Sequence, residues 1–121
     1  MRVLDLADLP HRPIDANGSR GFSVGAFGIS ADAHLVAVSL AAGGVIGRHP
    51  AVGRQLLVVL TGEAEGAGAE RTVHRLTAGQ AAVWEPGELH ETRSAGGMTA
   101  VIVEGDLDIG APGAQVDPGD V

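Results

Sequence analysis

Residues 43–62 have the sequence GGVIGRHPAVGRQLLVVLTG, in which a glycine-rich segment leads into a nearly unbroken apolar run. The run from Gln55 to Leu60 has the length of a strand, and it lacks the polar alternation of a strand with one solvent-facing side. Such a segment is typical of a strand buried on both faces. Thr61 and Gly62 are predicted to end it, because glycine interrupts strands and favours turns.

Short strands of this kind are predicted on both sides of this stretch. Residues 79–94, GQAAVWEPGELHETRS, contain a strand that ends before Pro86-Gly87 and a second one after it. Glycine makes up 19 of the 121 residues and separates the strands instead of forming a linker. The pattern predicts an all-β fold of the sandwich or barrel type. Eight strands are expected, at Phe22–Ile29, His34–Ala41, Gln55–Leu60, Glu63–Ala67, Thr72–Leu76, Gln80–Trp84, His90–Ser94 and Thr99–Glu104.

The length of the chain indicates one domain. Residues 1–20 are expected to form an N-terminal arm with a short helical turn near Leu6–Leu9, and residues 21–104 the barrel. Residues 105–121 are acidic and rich in Gly and Pro, so they are predicted to be a C-terminal tail. Three apolar residues of the tail would dock on the barrel if it is ordered: Leu107, Ile109 and Val116.

The residue types that are missing exclude several chemistries. The chain has no Cys, no Lys and no Tyr, which removes disulfides, thiolate nucleophiles and Schiff bases. The net charge is −7 and the Arg residues do not cluster, so a nucleic-acid partner is not expected. No apolar run has the length of a membrane span, and the first 15 residues lack a signal-peptide core. A cytoplasmic protein is predicted.

Four residues around the first apolar run stand at regular intervals. Five residues separate Gly43 from His49, Gln55 follows His49 by six positions, and Gly62 follows Gln55 by seven.

A second set lies in residues 79–94. Five residues separate Gly79 from Glu85, and Gly87, His90 and Ser94 follow at fixed distances. The two sets resemble the two conserved motifs of the cupin superfamily in every interval. The resemblance covers roughly residues 34–104. It implies a cupin-type double-stranded β-helix, which is a jelly-roll barrel with an internal pocket.

The sequence departs from the family motifs at four positions. Ala51 stands where the first motif has its second His, and Gln55 where it has Glu. In the second motif, Glu85 stands in place of Pro, and Ser94 in place of Asn. The first two substitutions alter positions that hold a metal in metal-binding cupins, so the resemblance implies the fold more strongly than any activity.

The resemblance implies a site inside the barrel. The metal ligands that remain would be His49, Gln55 and His90, for a weakly held divalent ion (Zn, Ni, Mn, Fe or Cu). The alternative for the two His residues is a hydrogen-bonded pair that lines a polar pocket without a metal. The remaining pocket residues are expected to be Leu57, Trp84, Glu85 and Thr92. His34 is expected to face the interior if its strand alternates inward.

Three functions stay open from the sequence. The leading hypothesis is that the protein binds a small molecule in the barrel, with or without the weak metal ion. A second is a metal-dependent enzyme of the isomerase, lyase or dioxygenase type, in which His90 or Glu85 moves protons. A third is a non-catalytic sensor or interaction domain. A homodimer is expected, through the N-terminal arm or an edge strand.

Overall fold

The computed structural model describes residues 1–25 and 29–109. Antiparallel strands dominate this part of the chain, and helix is limited to the 3-10 turns Leu6–Asp8 and Ala16–Gly18. The all-β prediction is therefore confirmed. The strands are β1 (Arg2–Asp5), β2 (His11–Ile14), β3 (Phe22–Gly25), β4 (Ile29–Leu40), β5 (Gly44–Pro50), β6 (Arg54–Ala67), β7 (Val73–Thr77), β8 (Gln80–Trp84), β9 (Leu89–Ser94) and β10 (Met98–Ile109).

Strand β6 joins the two layers of the barrel. Its first half pairs with β8 and β10 in a sheet of order β1-β8-β6-β10-β4. Its second half pairs with β7 and β9, and β9 continues the second layer to β5. The expectation that the strand ends at Thr61 and Gly62 is wrong. The chain bends there instead, at a register shift opposite Thr99 and Ala100, and Gly62 adopts a φ of 77°.

Two apolar clusters account for the burial of β6 on both faces. Leu57 is 1% exposed and packs inside the barrel, in a cluster that also contains Val59, Ala64, Leu76, Ala82, Trp84, Met98 and Ala100. Leu56, which is 3% exposed, points to the other face and packs with Leu4, Ala81, Val83, Leu107 and Ile109. The prediction of a doubly buried strand is therefore confirmed.

The ends of the chain are more structured than their composition suggested. The predicted helical turn is the 3-10 turn Leu6–Asp8, and β1 before it pairs with β8. Strand β10 continues past residue 105 because Leu107 and Ile109 join the second cluster. The rest of the predicted tail, including Val116, lies outside the described residues.

Strand β5 has no counterpart among the predicted strands. Its two glycines and Pro50 break the alternating pattern on which the prediction relied. Among the described strands β5 pairs only with β9, and such an edge strand tolerates glycine and proline. This omission matters because β5 carries His49.

Strand β4 is the other long edge. In the part of the chain that the structure describes it pairs only with β10, and it exposes Leu35 and Val36. The expected homodimer stays a prediction, which sedimentation velocity would test. Within residues 1–25 and 29–109 we found no helix with the length and apolarity needed to cross a membrane.

Candidate functional site

One end of the barrel interior is polar. Leu57 and Val59 point inward on β6, and by alternation Gln55 lies on the same face. The strand register pairs Gln55 with Glu104 of β10 on one side and with Trp84 of β8 on the other. Directly paired residues of antiparallel strands project to the same face. Glu104, Gln55 and Trp84 therefore form a row across the inner face of the larger sheet.

The row continues to His34 of β4, which pairs with Glu104. His34 is exposed, because β4 is the edge of the sheet and nothing among the described residues covers this position. It lies on the inward face of its strand but at an open margin.

The opposite layer contributes two imidazoles. His49 of β5 and His90 of β9 are register partners, and their ring centroids lie 4.5 Å apart at an interplanar angle of 48°. The ring centroid of Trp84 lies 4.7 Å from that of His90, at an interplanar angle of 44°. Trp84 is fully buried, His90 is 2% exposed and His49 is exposed. The three rings therefore run from the core to the surface.

The two imidazoles differ in their hydrogen bonds. The Nδ1 of His49 lies 2.6 Å from the carbonyl oxygen of Gly47, which accepts a hydrogen bond from that nitrogen and leaves Nε2 as the other ring nitrogen. Both ring nitrogens of His90 are buried, and neither has a hydrogen-bond partner among the described residues. The indole Nε1 of Trp84 is likewise buried without a partner there.

Burial keeps His90 neutral. Desolvation lowers the pKa of His90, and the neighbouring His49 lowers it further. The carboxylates of Glu104 and Glu88 partly oppose this shift, and Arg48 adds to it. A neutral imidazole carries one N–H donor and one acceptor nitrogen, so His90 offers both functions to a bound group.

Glu104 is a site residue that the sequence interpretation missed. Its Oε2 accepts a hydrogen bond from Nε2 of Gln55 at 3.4 Å, and its Oε1 accepts one from the N–H of Gly53 at 3.3 Å. It makes no ion pair with any residue that the structure describes. The signal was present in the sequence, since alternation from Ala100 through Ile102 places Glu104 on the inward face of its strand.

The structure brings most of the expected pocket residues together and separates one from them. Leu57, Trp84 and Thr92 are buried. Glu85 lies at the turn after β8, and its side chain is 54% exposed and forms an ion pair with Arg54 at 2.6 Å. The carboxylate that was expected in the pocket is therefore paired at the surface, and Glu104 is the one on the inward face.

The donor set does not fit a tightly held metal ion. Among the described residues, no three His, Asp or Glu side chains are grouped closely enough to hold one. His49 and His90 lie with their rings stacked at a tilt, and the third expected ligand, Gln55, is neutral and donates its amide to Glu104. Two imidazoles and a carboxamide also lack the negative charge that offsets a divalent ion in a buried site.

Comparison with known proteins supports the fold. No protein-family model and no curated protein matches the sequence. Among solved structures, a conserved protein of unknown function from Streptococcus pyogenes has a TM-score of 0.58 at 23% identity, over 68% of this chain and 75% of that one. A Klebsiella pneumoniae protein with a double-stranded β-helix domain has a TM-score of 0.55 at 29% identity, over 69% and 70%.

A third solved structure matches this chain over nearly the whole of the other protein's length. A cupin superfamily protein from Desulfitobacterium hafniense has a TM-score of 0.58 at 16% identity, and the match covers 88% of this chain and 99% of that protein. These likenesses agree with the two-layered antiparallel barrel and with the motif spacing. The chain is a small cupin-fold domain.

Proposed function

We propose that this protein binds a small organic molecule at the polar end of its barrel. The observation that carries the proposal is His90, a buried imidazole whose two nitrogens have no partner among the described residues. Leaving a buried polar group unsatisfied costs about 1–3 kcal/mol. A molecule that donates to one nitrogen of His90 and accepts from the other would recover this cost.

The surroundings of His90 support a molecule of mixed character. Leu57 and Trp84 supply apolar walls, whereas Gln55 and Glu104 supply an amide and a carboxylate on the facing sheet. A few polar groups set among apolar side chains are typical of small-molecule sites. The positions of these polar groups argue against a tightly held metal ion, because the groups do not converge on one point.

A ligand screen by NMR tests the proposal on protein purified without metal-affinity resin. We expect at least one class of small polar molecule to shift the side-chain signals of His90 and Gln55 saturably. His90→Leu should abolish this binding, whereas His74→Leu, on exposed β7, should leave it intact. Binding that persists in the His90 variant would contradict the proposal, as would a screen in which no molecule shifts these signals.

A weakly held divalent ion is the second candidate. The supporting observation is the hydrogen bond from Nδ1 of His49 to the Gly47 carbonyl, an arrangement typical of imidazoles that ligate metal through the other nitrogen. His49, His90 and Gln55 would hold the ion. Metal analysis after dialysis against Zn, Ni, Mn, Fe or Cu decides this point. Stoichiometric metal that is lost in His49→Ala would favour the ion over the organic ligand.

A further inference from the structure

We propose that Glu104 anchors an organic cation in the barrel, so that the ligand of this site carries a protonated nitrogen such as an amidinium or a primary ammonium. The inference rests on the proposed function, since it names the chemical class of the molecule that the polar end of the barrel takes. It concerns a residue on β10, outside both sequence motifs.

Glu104 differs from the other carboxylates around the site. Glu85 is paired with Arg54, Glu88 with the amino group of Met1, and Glu91 with Arg48 and Arg93. From the described residues Glu104 receives only two long hydrogen bonds, both from neutral donors. A half-buried carboxylate without a cation leaves much of its charge uncompensated, and this favours a cationic partner.

The arrangement of the acceptors favours a molecular cation over a metal ion. A metal draws its ligands to one point, but Glu104 and the two imidazoles are not grouped that way. A planar amidinium presents two parallel N–H groups, which match the two oxygens of a carboxylate. Its remaining N–H groups point away from the carboxylate, and the acceptor nitrogen of His90 on the facing layer is one partner available to them.

The charges nearby permit a cation at this position. His90 is 2% exposed, and it offers the ligand ring nitrogens that have no partner among the described residues. The Nη2 of Arg48 donates to the Gly68 and Ala69 carbonyls, whereas its Nε and Nη1 have no hydrogen-bond partner among the described residues. Within that part of the chain Arg48 forms its ion pair with Glu91, at 3.9 Å, and none with Glu104.

Three probes of nearly identical shape test the class of ligand. Acetamidinium, acetamide and acetate differ in charge but hardly in size, and each is titrated into labelled protein while the His90 and Gln55 side-chain signals are followed by NMR. We expect acetamidinium to bind at least about tenfold more tightly than acetamide, as for a charge-assisted pair, and acetate not to bind. Glu104→Gln should abolish this preference, whereas Glu70→Gln, in the exposed loop after β6, should keep it.

The outcomes separate the two proposals. Equal binding of acetamidinium and acetamide, or a preference that survives Glu104→Gln, would overturn the cation proposal and leave the small-molecule site standing. Tighter binding of acetate would also overturn it. If none of the probes binds, the cation proposal fails by itself, and the broader ligand screen with His90→Leu then decides the proposed function. A thermal melt of Glu104→Gln shows whether the variant is folded.

Discussion

The two ends of the barrel interior differ in what their side chains lack. At one end, Leu57, Val59, Leu76 and Met98 fill the space between the layers, and the nearby Ser94 hydroxyl donates to the carbonyl of Glu63 at 2.6 Å. At the other end, the nitrogens of His90 have no partner among the described residues, and Glu104 has no cation there. The first end is filled by packed side chains, whereas the second end keeps polar groups that are available to bind a ligand.

The difference separates stability from binding within one small domain. Both ends are built on the same strand, β6, whose inward residues change from Gln55 to Leu57 and Val59 over five positions. Apolar burial provides most of the stabilisation in a domain of this size, and unsatisfied buried polar groups oppose it. Sites that bind ligands commonly retain such unfavourable groups. Variants at the two ends should therefore have opposite effects.

The largest expected effect is at the apolar end. Leu57→Ala removes a side chain that is 1% exposed, and it should lower the free energy of unfolding by about 2–5 kcal/mol through lost burial and a cavity. Urea denaturation measures this change. His49→Ala, at the exposed margin of the polar end, should stay within about 0.5 kcal/mol of the parent. Equal losses in the two variants would show that the ends do not differ as described.

A second change would convert the polar end into a metal site. Ala51→His with Gln55→Glu adds one imidazole and one carboxylate at the two positions where this chain lacks the ligands of the family motif. We expect affinity for Ni²⁺ or Zn²⁺ to rise at least about a hundredfold, because both donor number and negative charge increase. Isothermal titration calorimetry measures it. The control is the same pair of changes combined with His90→Leu. Its affinity for the metal ion should rise far less.

Much of the difference between the two ends could be predicted from the sequence. The apolar run at residues 55–60 and the motif spacing predicted the barrel and the inward positions of Leu57 and His90, because both depend on local periodicity. Glu104 was not recognised, since its place beside Gln55 depends on a pairing between strands that lie 49 positions apart. Nor could spacing show that Glu85 turns outward, because its partner Arg54 lies on another strand.

A smaller effect of opposite sign is expected at His90. In ligand-free protein, His90→Leu replaces a buried imidazole that lacks partners by an apolar side chain of similar size. The free energy of unfolding should rise by about 1 kcal/mol, which thermal and urea denaturation would both detect. His74→Leu, made on the exposed face of β7, should change it by less than about 0.5 kcal/mol. A clear loss of stability in His90→Leu would mean that the imidazole is satisfied in the folded protein.

The smallest effect concerns Glu88, a carboxylate that is fully partnered where Glu104 is not. Burial raises the pKa of Glu88, but hydrogen bonds from the N–H groups of Glu85 and Ala69 and from the Met1 ammonium outweigh it, and the pKa lies below its ordinary value of 4.5. Since the folded state holds its proton less tightly than the unfolded state, Glu88 stabilises the fold above pH 4.5, and this contribution disappears as the pH falls through the lowered pKa.

Glu88→Gln should therefore lose part of the parent's decline in stability below pH 4.5, within about 1 kcal/mol, because burial offsets much of the gain from the hydrogen bonds. Urea denaturation at a series of acidic pH values measures the decline. Glu70→Gln, which removes an exposed carboxylate and changes the net charge equally, is the matched control. If both variants flatten the acid profile alike, the effect comes from net charge and not from the three hydrogen bonds that distinguish Glu88 from Glu104.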